Sequence, residues 1–334
     1  MRDFAQELVD KIIDECYTGP RGAVVMKTCG LVCSGWLPRS RLHLFARVTV
    51  DPNNLPLFID VIASSSFPIL SFIQHLGLHF VRRPLDNVLL SKIHCCPNLA
   101  RIEVSIWENN TLGIKTFYRS LQIHLPFWAS NSPSLTHFDF RGIDMHTPGI
   151  ENEMILDIIQ CVPTLEFLAI SGMSMSMRPD STPIDHSLPP LRNTLHLHGR
   201  GVGQFLRSLL LLPTPPTLTS LQLDMVCQSI EDVEHFLKHG GGELVSLSLT
   251  DLSSINAVPT VEQFIRHTLK LRNIELFMSN TSVILDILLV LPLYEWETIT
   301  FVLYNYPTGI AWKDIDTGRK PDDMSNRHVV MTCS

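Results

Sequence analysis

The sequence predicts an α/β repeat protein preceded by a small helical layer, and three observations carry that expectation. A short apolar pattern returns down the chain at a nearly constant step. Segments with apolar residues at helical spacing fill the intervals between its copies. The first 46 residues follow a different pattern, helical throughout.

The helical layer comes first. In "FAQELVDKIIDEC", residues 4–16, Leu8, Val9, Ile12, Ile13 and Cys16 form one apolar stripe, with Glu7, Asp10, Lys11, Asp14 and Glu15 around the remainder. That is the pattern of an amphipathic helix. Around "KTCGLVCSGWLPRSR", residues 27–41, Val25, Cys29, Val32, Cys33 and Trp36 repeat the spacing. Pro38 ends this second helix or begins the next one.

The repeat follows. Each copy places an apolar residue, two intervening positions, then two apolar residues separated by one position. The closing pairs are Val48/Val50, Leu76/Leu78, Ile102/Val104, Phe138/Phe140, Leu168/Ile170, Leu195/Leu197, Leu221/Leu223, Leu247/Leu249, Ile274/Leu276 and Ile299/Phe301. Successive pairs are 28, 26, 36, 30, 27, 26, 26, 27 and 25 residues apart. Alternation with period two reads as a short strand with one face buried. Stretches such as "NEMILDIIQCVP", "GQFLRSLLLLP" and "VEQFIRHTLK" read as the helices between. A strand and a helix of this length cannot close a core alone, so each unit must stack on its neighbours. An ordinary α/β domain also alternates strands and helices; the steady step favours a stacked repeat. Parallel strands should lie inside and helices outside, over residues 47–304. From residue 305 the pattern stops, and 305–334 reads as a polar tail with at most a terminal strand or cap.

Composition bounds the function. With 334 residues, 37.7 kDa and 45% hydrophobic content, a large core is available. A net charge of −7 and a pI near 6.0 argue against a nucleic-acid binder, which needs a basic face. No secretory leader is expected from "MRDFAQELVDK", and "VILDILLVLPL", interrupted by Asp286, is too short for a membrane span. The eight cysteines are scattered through apolar patterns and read as reduced thiols of a cytoplasmic or nuclear protein. Cys29 and Cys33 are one helical turn apart, but the further ligands that structural zinc needs are not nearby in sequence.

Two stretches invite a catalytic reading. "LHLHGRGVGQF", residues 195–205, places glycines between a strand and a helix, with Asp224 at the end of the next strand. A dinucleotide fingerprint needs G-x-G-x-x-G, and Gln204 stands where its third glycine belongs. The same strand–turn–helix context recurs in every unit, so a repeat turn is expected. His235 and His239 share a helix face, without the glutamate of a zinc hydrolase between them. No nucleophile elbow or phosphate loop is present. An enzyme, a cofactor or a metal is therefore not expected.

The amino-terminal pattern resembles an F-box, roughly L-P-x-E-L-x-x-x-I-[FI] followed by V-C-x-x-W. Phe4 stands for the leading leucine, Glu7 and Leu8 match, Ile12 and Ile13 match, and Val32-Cys33-Ser34-Gly35-Trp36 matches the second half. Ala5 replaces the proline, "TGPRGAVV" lengthens the join, and Ser34 replaces a basic residue. The repeats resemble degenerate leucine-rich repeats, with the usual asparagine or cysteine after the strand mostly absent. The whole chain is similar to F-box proteins abundant in mushroom-forming fungi. The resemblance implies an irregular solenoid and a substrate-recognition subunit of an SCF-type ubiquitin ligase. Phe4, Leu8, Ile12, Ile13, Val32 and Trp36 would contact the SCF adaptor. An unknown target protein would meet the exposed strand positions, with His196, His198, Gln222, Asp224, Ser246 and Ser248 as candidates. Two alternatives stand beside this: a scaffold outside ubiquitination in which the box only caps the solenoid, and an enzyme using the glycine turn.

Overall fold

The computed structural model describes residues 6–17, 22–64, 69–80, 93, 95–106, 111–142, 150–151, 156, 159–171, 175–176, 193–199, 202–212, 215–224, 230–250, 257–278, 282–291, 296–303 and 328–333. Two compact units divide the chain, Met1–Phe140 and Arg141–Ser334.

The first unit opens with three helices, α1 (Gln6–Tyr17), α2 (Gly22–Val32) and α3 (Leu37–Ala46). Helix α2 is shorter than its apolar spacing suggests. It stops at Val32, and Cys33–Trp36 form a turn in which the Trp36 N–H donates to the Cys33 carbonyl at 3.1 Å. The Ser34-Gly35 pair explains the stop, since both residues are weak helix formers and glycine carries the larger entropy cost. Pro38 lies in the first turn of α3, where its missing N–H costs nothing. Strand β1 (Arg47–Val50) follows directly, then α4 (Leu55–Ser64), a 3₁₀ turn at Ile69–Phe72, β2 (His75–Phe80), β3 (Arg101–Ile106), α5 (Thr111–Asn131) and β4 (His137–Gly142). The strand order is β1-β2-β3-β4, and the pairs β1/β2 and β2/β3 are parallel. The widest step in the sequence, from Ile102 to Phe138, is accounted for by the 21 residues of α5.

In the second unit the short strands β5 (Ile150–Glu151) and β7 (Met175–Ser176) pair separately. The main sheet runs β6 (Phe167–Ser171), β8 (Thr194–His198), β9 (Ser220–Asp224), β10 (Ser246–Thr250), β11 (Asn273–Met278), β12 (Thr298–Leu303) and β13 (His328–Cys333). Each neighbouring pair is parallel. Helices α6 (Val202–Leu210), α7 (Ile230–Gly240), α8 (Ala257–Ile265) and α9 (Ser282–Val290) follow β8 to β11 in turn. Parallel strands require such crossovers.

The apolar pairs expected from sequence form strands in register. Leu168, Leu195, Leu221, Leu247, Ile274 and Ile299 stand side by side, and so do Ile170, Leu197, Leu223, Leu249, Leu276 and Phe301. All of these side chains are buried. The helices supply the other half of the core through Phe205, Leu206, Phe236, Leu237, Val261 and Phe264. One backbone device recurs at six steps among the described residues. The carbonyl just before a strand accepts two N–H groups from the next unit: Thr219 receives Val245 (2.8 Å) and Ser246 (3.0 Å), and Val245 receives Arg272 (2.9 Å) and Asn273 (3.0 Å).

The tail holds the terminal strand. β13 places Val329 and Met331 beside Ile299 and Phe301. That eleventh apolar pair stands 30 residues after the tenth, within the range of the earlier steps, but the polar stretch before it conceals the step.

Leu247 sits in the middle of a ladder with no exposed surface. Replacing it with alanine should cost about 3–5 kcal/mol in chemical denaturation, through lost transfer energy and the cavity left behind. The control is Leu211→Ala, at a residue that is largely exposed, which should stay within about 0.5 kcal/mol of wild type.

Candidate functional site

The three amino-terminal helices close on a small core of Val9, Ile13, Met26 and Cys29, against which Tyr17, Val25, Trp36 and Leu44 pack. The apolar stripe of α1 is wider than this core. Val9 and Ile13 enter it, while Leu8 and Ile12, one position earlier on the helix, remain 50% and 43% exposed. The same division occurs on α2, where Met26 and Cys29 are buried while Leu31 and Val32 are 86% and 58% exposed. The six residues expected to meet an adaptor therefore divide. Leu8, Ile12 and Val32 face solvent, Trp36 is half-buried against the core, and Phe4 lies outside the described residues. Ile13 is a correction: it is fully buried and holds α1 to α2 rather than offering a contact. Leu31 was not among the candidates, although the run Leu31-Val32 after Cys29 carries one apolar residue more than a single buried stripe needs.

An ion cluster fixes α3 against α1. Arg39 donates to both carboxylate oxygens of Asp14, at 2.6 Å each, and His43 Nε2 lies 2.7 Å from Asp14 Oδ1. The His43 ring stacks on Tyr17 at a centroid distance of 4.5 Å. The Arg39 guanidinium and then His43 hold the Asp14 carboxyl down, at about 2. The pair is partly open to solvent, so its value lies in geometry more than in energy. The sequence signal was Arg39 and His43, four apart on a helix and facing one acid.

The second surface is the polar side of the second unit's sheet. Between the buried leucines, alternate residues point the other way and form rows across the strands. One row is Thr194, Ser220, Ser246, Asn273 and Thr298; the next is Ala169, His196, Gln222, Ser248, Glu275 and Thr300. The six candidate target residues share this face. His196, Gln222 and Ser246 are half-buried, and Ser248 is nearly covered, its hydroxyl donating to Glu275 Oε2 at 3.1 Å. His198 is half-exposed, while Asp224, 3% exposed, lies 2.6 Å from its Nδ1. The Asp224 carboxylate raises the His198 pKa, against burial, which lowers it. Asp224 thus serves the sheet more than a ligand. Glu275 was missed, although it occupies in "NIELFM" the place that Gln222 and Ser248 occupy in their strands.

The glycine turn is built for packing. Gly199 has φ 128°, in the left-handed region that favours glycine. Gly201 lies outside the described residues. Gly203, the second residue of α6, sits against α7, where an added Cβ would come within 2.6 Å of Asp232 Cβ and 2.7 Å of its Oδ2. A phosphate bound at this helix end would meet the Asp232 carboxylate, which pairs with Arg207. His235 and His239 are both exposed; His239 Nδ1 bonds to the His235 carbonyl at 2.8 Å. Among the described residues no group of three metal-ligating side chains forms, and no helix is long and apolar enough to cross a membrane.

No protein-family model matches the chain, and neither does any curated protein sequence. Among solved structures, a protein from Bacteroides fragilis aligns with a TM-score of 0.34 at 14% identity, over 62% of this chain and 53% of its own. The chain thus spans about half the length of that relative. The yeast complex of Rad7 and Elc1 aligns with a TM-score of 0.36 at 11% identity, over 98% of this chain and 92% of the matched one. Likenesses this distant carry no weight for function.

Two outcomes are expected. In an NMR titration the His198 ring should titrate above its ordinary value of about 6.5, and Asp224→Asn should bring it down. Because the folded pKa is the higher one, the stabilisation from this pair is complete below about pH 6.5 and is lost as the pH rises through the folded value. Gly203→Ala should lower stability by about 1–3 kcal/mol in thermal unfolding, because a Cβ collides with Asp232.

Proposed function

We propose that the chain is the target-recognition subunit of an SCF-type cullin–RING ubiquitin ligase, acting in the cytoplasm or nucleus. The amino-terminal helices bind the adaptor, and the polar strand face of the second unit binds a target protein. The chain carries out no bond chemistry and needs no cofactor. Its contribution to catalysis is to hold a target where a charged carrier can reach it, replacing a bimolecular encounter by a positioned one.

One observation carries the reading. The helical layer keeps Leu8, Ile12, Leu31 and Val32 on its surface after its own core is complete. A layer that served only to close its own core would not need these four apolar side chains at its surface. The resemblance to an F-box at Glu7-Leu8, Ile12-Ile13 and Val32–Trp36 supports the adaptor as the partner.

A capping role has its own support. Helix α3 runs straight into β1, and the Ala46 carbonyl at its end accepts the Gln74 N–H at 2.9 Å. The helices thus begin the first repeat as well as carrying the exposed stripe.

A pair of variants separates the two roles. Ile12→Asp places a charge on the exposed stripe and should leave the melting temperature nearly unchanged. It should weaken binding to the adaptor of a mushroom-forming fungus at least a hundredfold in calorimetry, the size of effect expected for a charge desolvated at an interface. Ile13→Asp should instead unfold the helical layer, since its side chain has no solvent access. If wild-type protein shows no adaptor binding at high micromolar concentration, the ligase reading is wrong and the helices serve only as a cap.

A further inference from the structure

The strand face of the second unit has a charge pattern that restricts what it can hold. None of the strands β6 and β8 to β13 contains a lysine or arginine. Among the described residues, two cations precede β11 and both are engaged: Lys270 contacts Glu243 at 2.6 Å, and Arg272 contacts Glu297 at 3.2 Å. The face carries two carboxylates. Asp224 is covered and paired with His198. Glu275 differs. It is half-buried, it accepts the Ser248 hydroxyl at 3.1 Å, and among the described residues no cation approaches it.

We propose that this face recognises its target through a lysine or arginine side chain seated on Glu275, in a segment that carries no phosphate. The inference rests on the strand face being the target surface and is independent of the adaptor. A half-buried carboxylate has lost part of its hydration, and a cationic partner restores that loss through a charge-assisted hydrogen bond. The register supplies the rest of the seat. Ser248 and Thr300 flank Glu275 on the neighbouring strands, giving short hydroxyl neighbours that leave room for an incoming head group. Gln222 and Asn273, half-buried on the same face, offer amides suited to the backbone of an extended segment. A phosphorylated segment has the opposite requirement. Phosphate recognition uses clustered arginines or lysines, and a phosphate dianion here would meet Glu275 with no cation on the strands to offset it.

The test pans a phage-displayed library of random dodecapeptides on the full-length chain, then measures recovered peptides by fluorescence polarisation. Recovered peptides should be enriched in lysine or arginine, and their binding should weaken as salt is raised. Glu275→Gln should weaken binding about tenfold or more. Thr300→Lys, which plants a cation beside Glu275 on the adjacent strand, should weaken it similarly while leaving the carboxylate in place. This second variant decides the matter if Glu275→Gln fails to fold. Phosphoserine placed beside the recovered lysine or arginine should weaken binding further. Recovery of acidic or neutral peptides, recovery of none above the display background, gain on phosphorylation, or indifference to the folded variants would each overturn the proposal. Ile12→Asp should leave peptide binding unchanged, so a failure of the adaptor reading and a failure of this one give different results.

Discussion

The constraint on which the structure depends is the register between adjacent parallel strands. A strand alternates its side chains with period two, so a slip of one residue would turn every buried leucine toward solvent and every polar residue into the core. Along β8 to β11 the ladders Leu195–Leu221–Leu247–Ile274 and Leu197–Leu223–Leu249–Leu276 hold that register from the side chains. The paired N–H bonds to the carbonyls of Asn193, Thr219, Val245 and Arg272 hold it from the backbone. Both devices repeat because the step repeats. A unit inserted at another length would place its carbonyl out of reach of the next pair of N–H groups unless its helix absorbed the difference, as the 21 residues of α5 do in the first unit.

Register also produces the surface that the chain offers. Once the leucines are committed to the helices, the intervening residues have to share the opposite face, in rows set by the same pairing. Seryl, threonyl and amide side chains are short enough to stand in rows at strand spacing, and they hydrogen-bond to one another and to passing backbone. Ser248 with Glu275 is one such contact and His198 with Asp224 another. The two differ in consequence. A carboxylate paired inside the sheet stabilises the sheet, whereas a carboxylate left without a cation is available to a partner.

The helical layer shows the opposite economy. An apolar arc that covers Leu8, Val9, Ile12 and Ile13 has two edges, and three short helices can enclose only one. Val9 and Ile13 pack against Met26 and Cys29 of α2, and Leu8 and Ile12 stay outside. The contacts of Asp14 with Arg39 and His43 fix α3 against the same helix.

By itself the sequence determined an α/β architecture and the positions of ten strands of the main sheet, because a two-residue alternation at a step of 25–36 residues admits few other structures. It determined that α1 is amphipathic and that Gly199 ends a strand in a turn. It did not determine which residues of an apolar stripe are buried. Leu8, Ile12 and Ile13 have the same chemistry, and only the packing of the neighbouring helices separates the exposed pair from the buried one. It did not show that Cys33–Trp36 leaves the helix, since spacing cannot register a turn that preserves the apolar positions. Nor did it single out Glu275. In sequence that residue is one more polar letter between leucines. Its meaning comes from its neighbours across the sheet, which lie about 25 residues away on either side and become neighbours only through strand pairing.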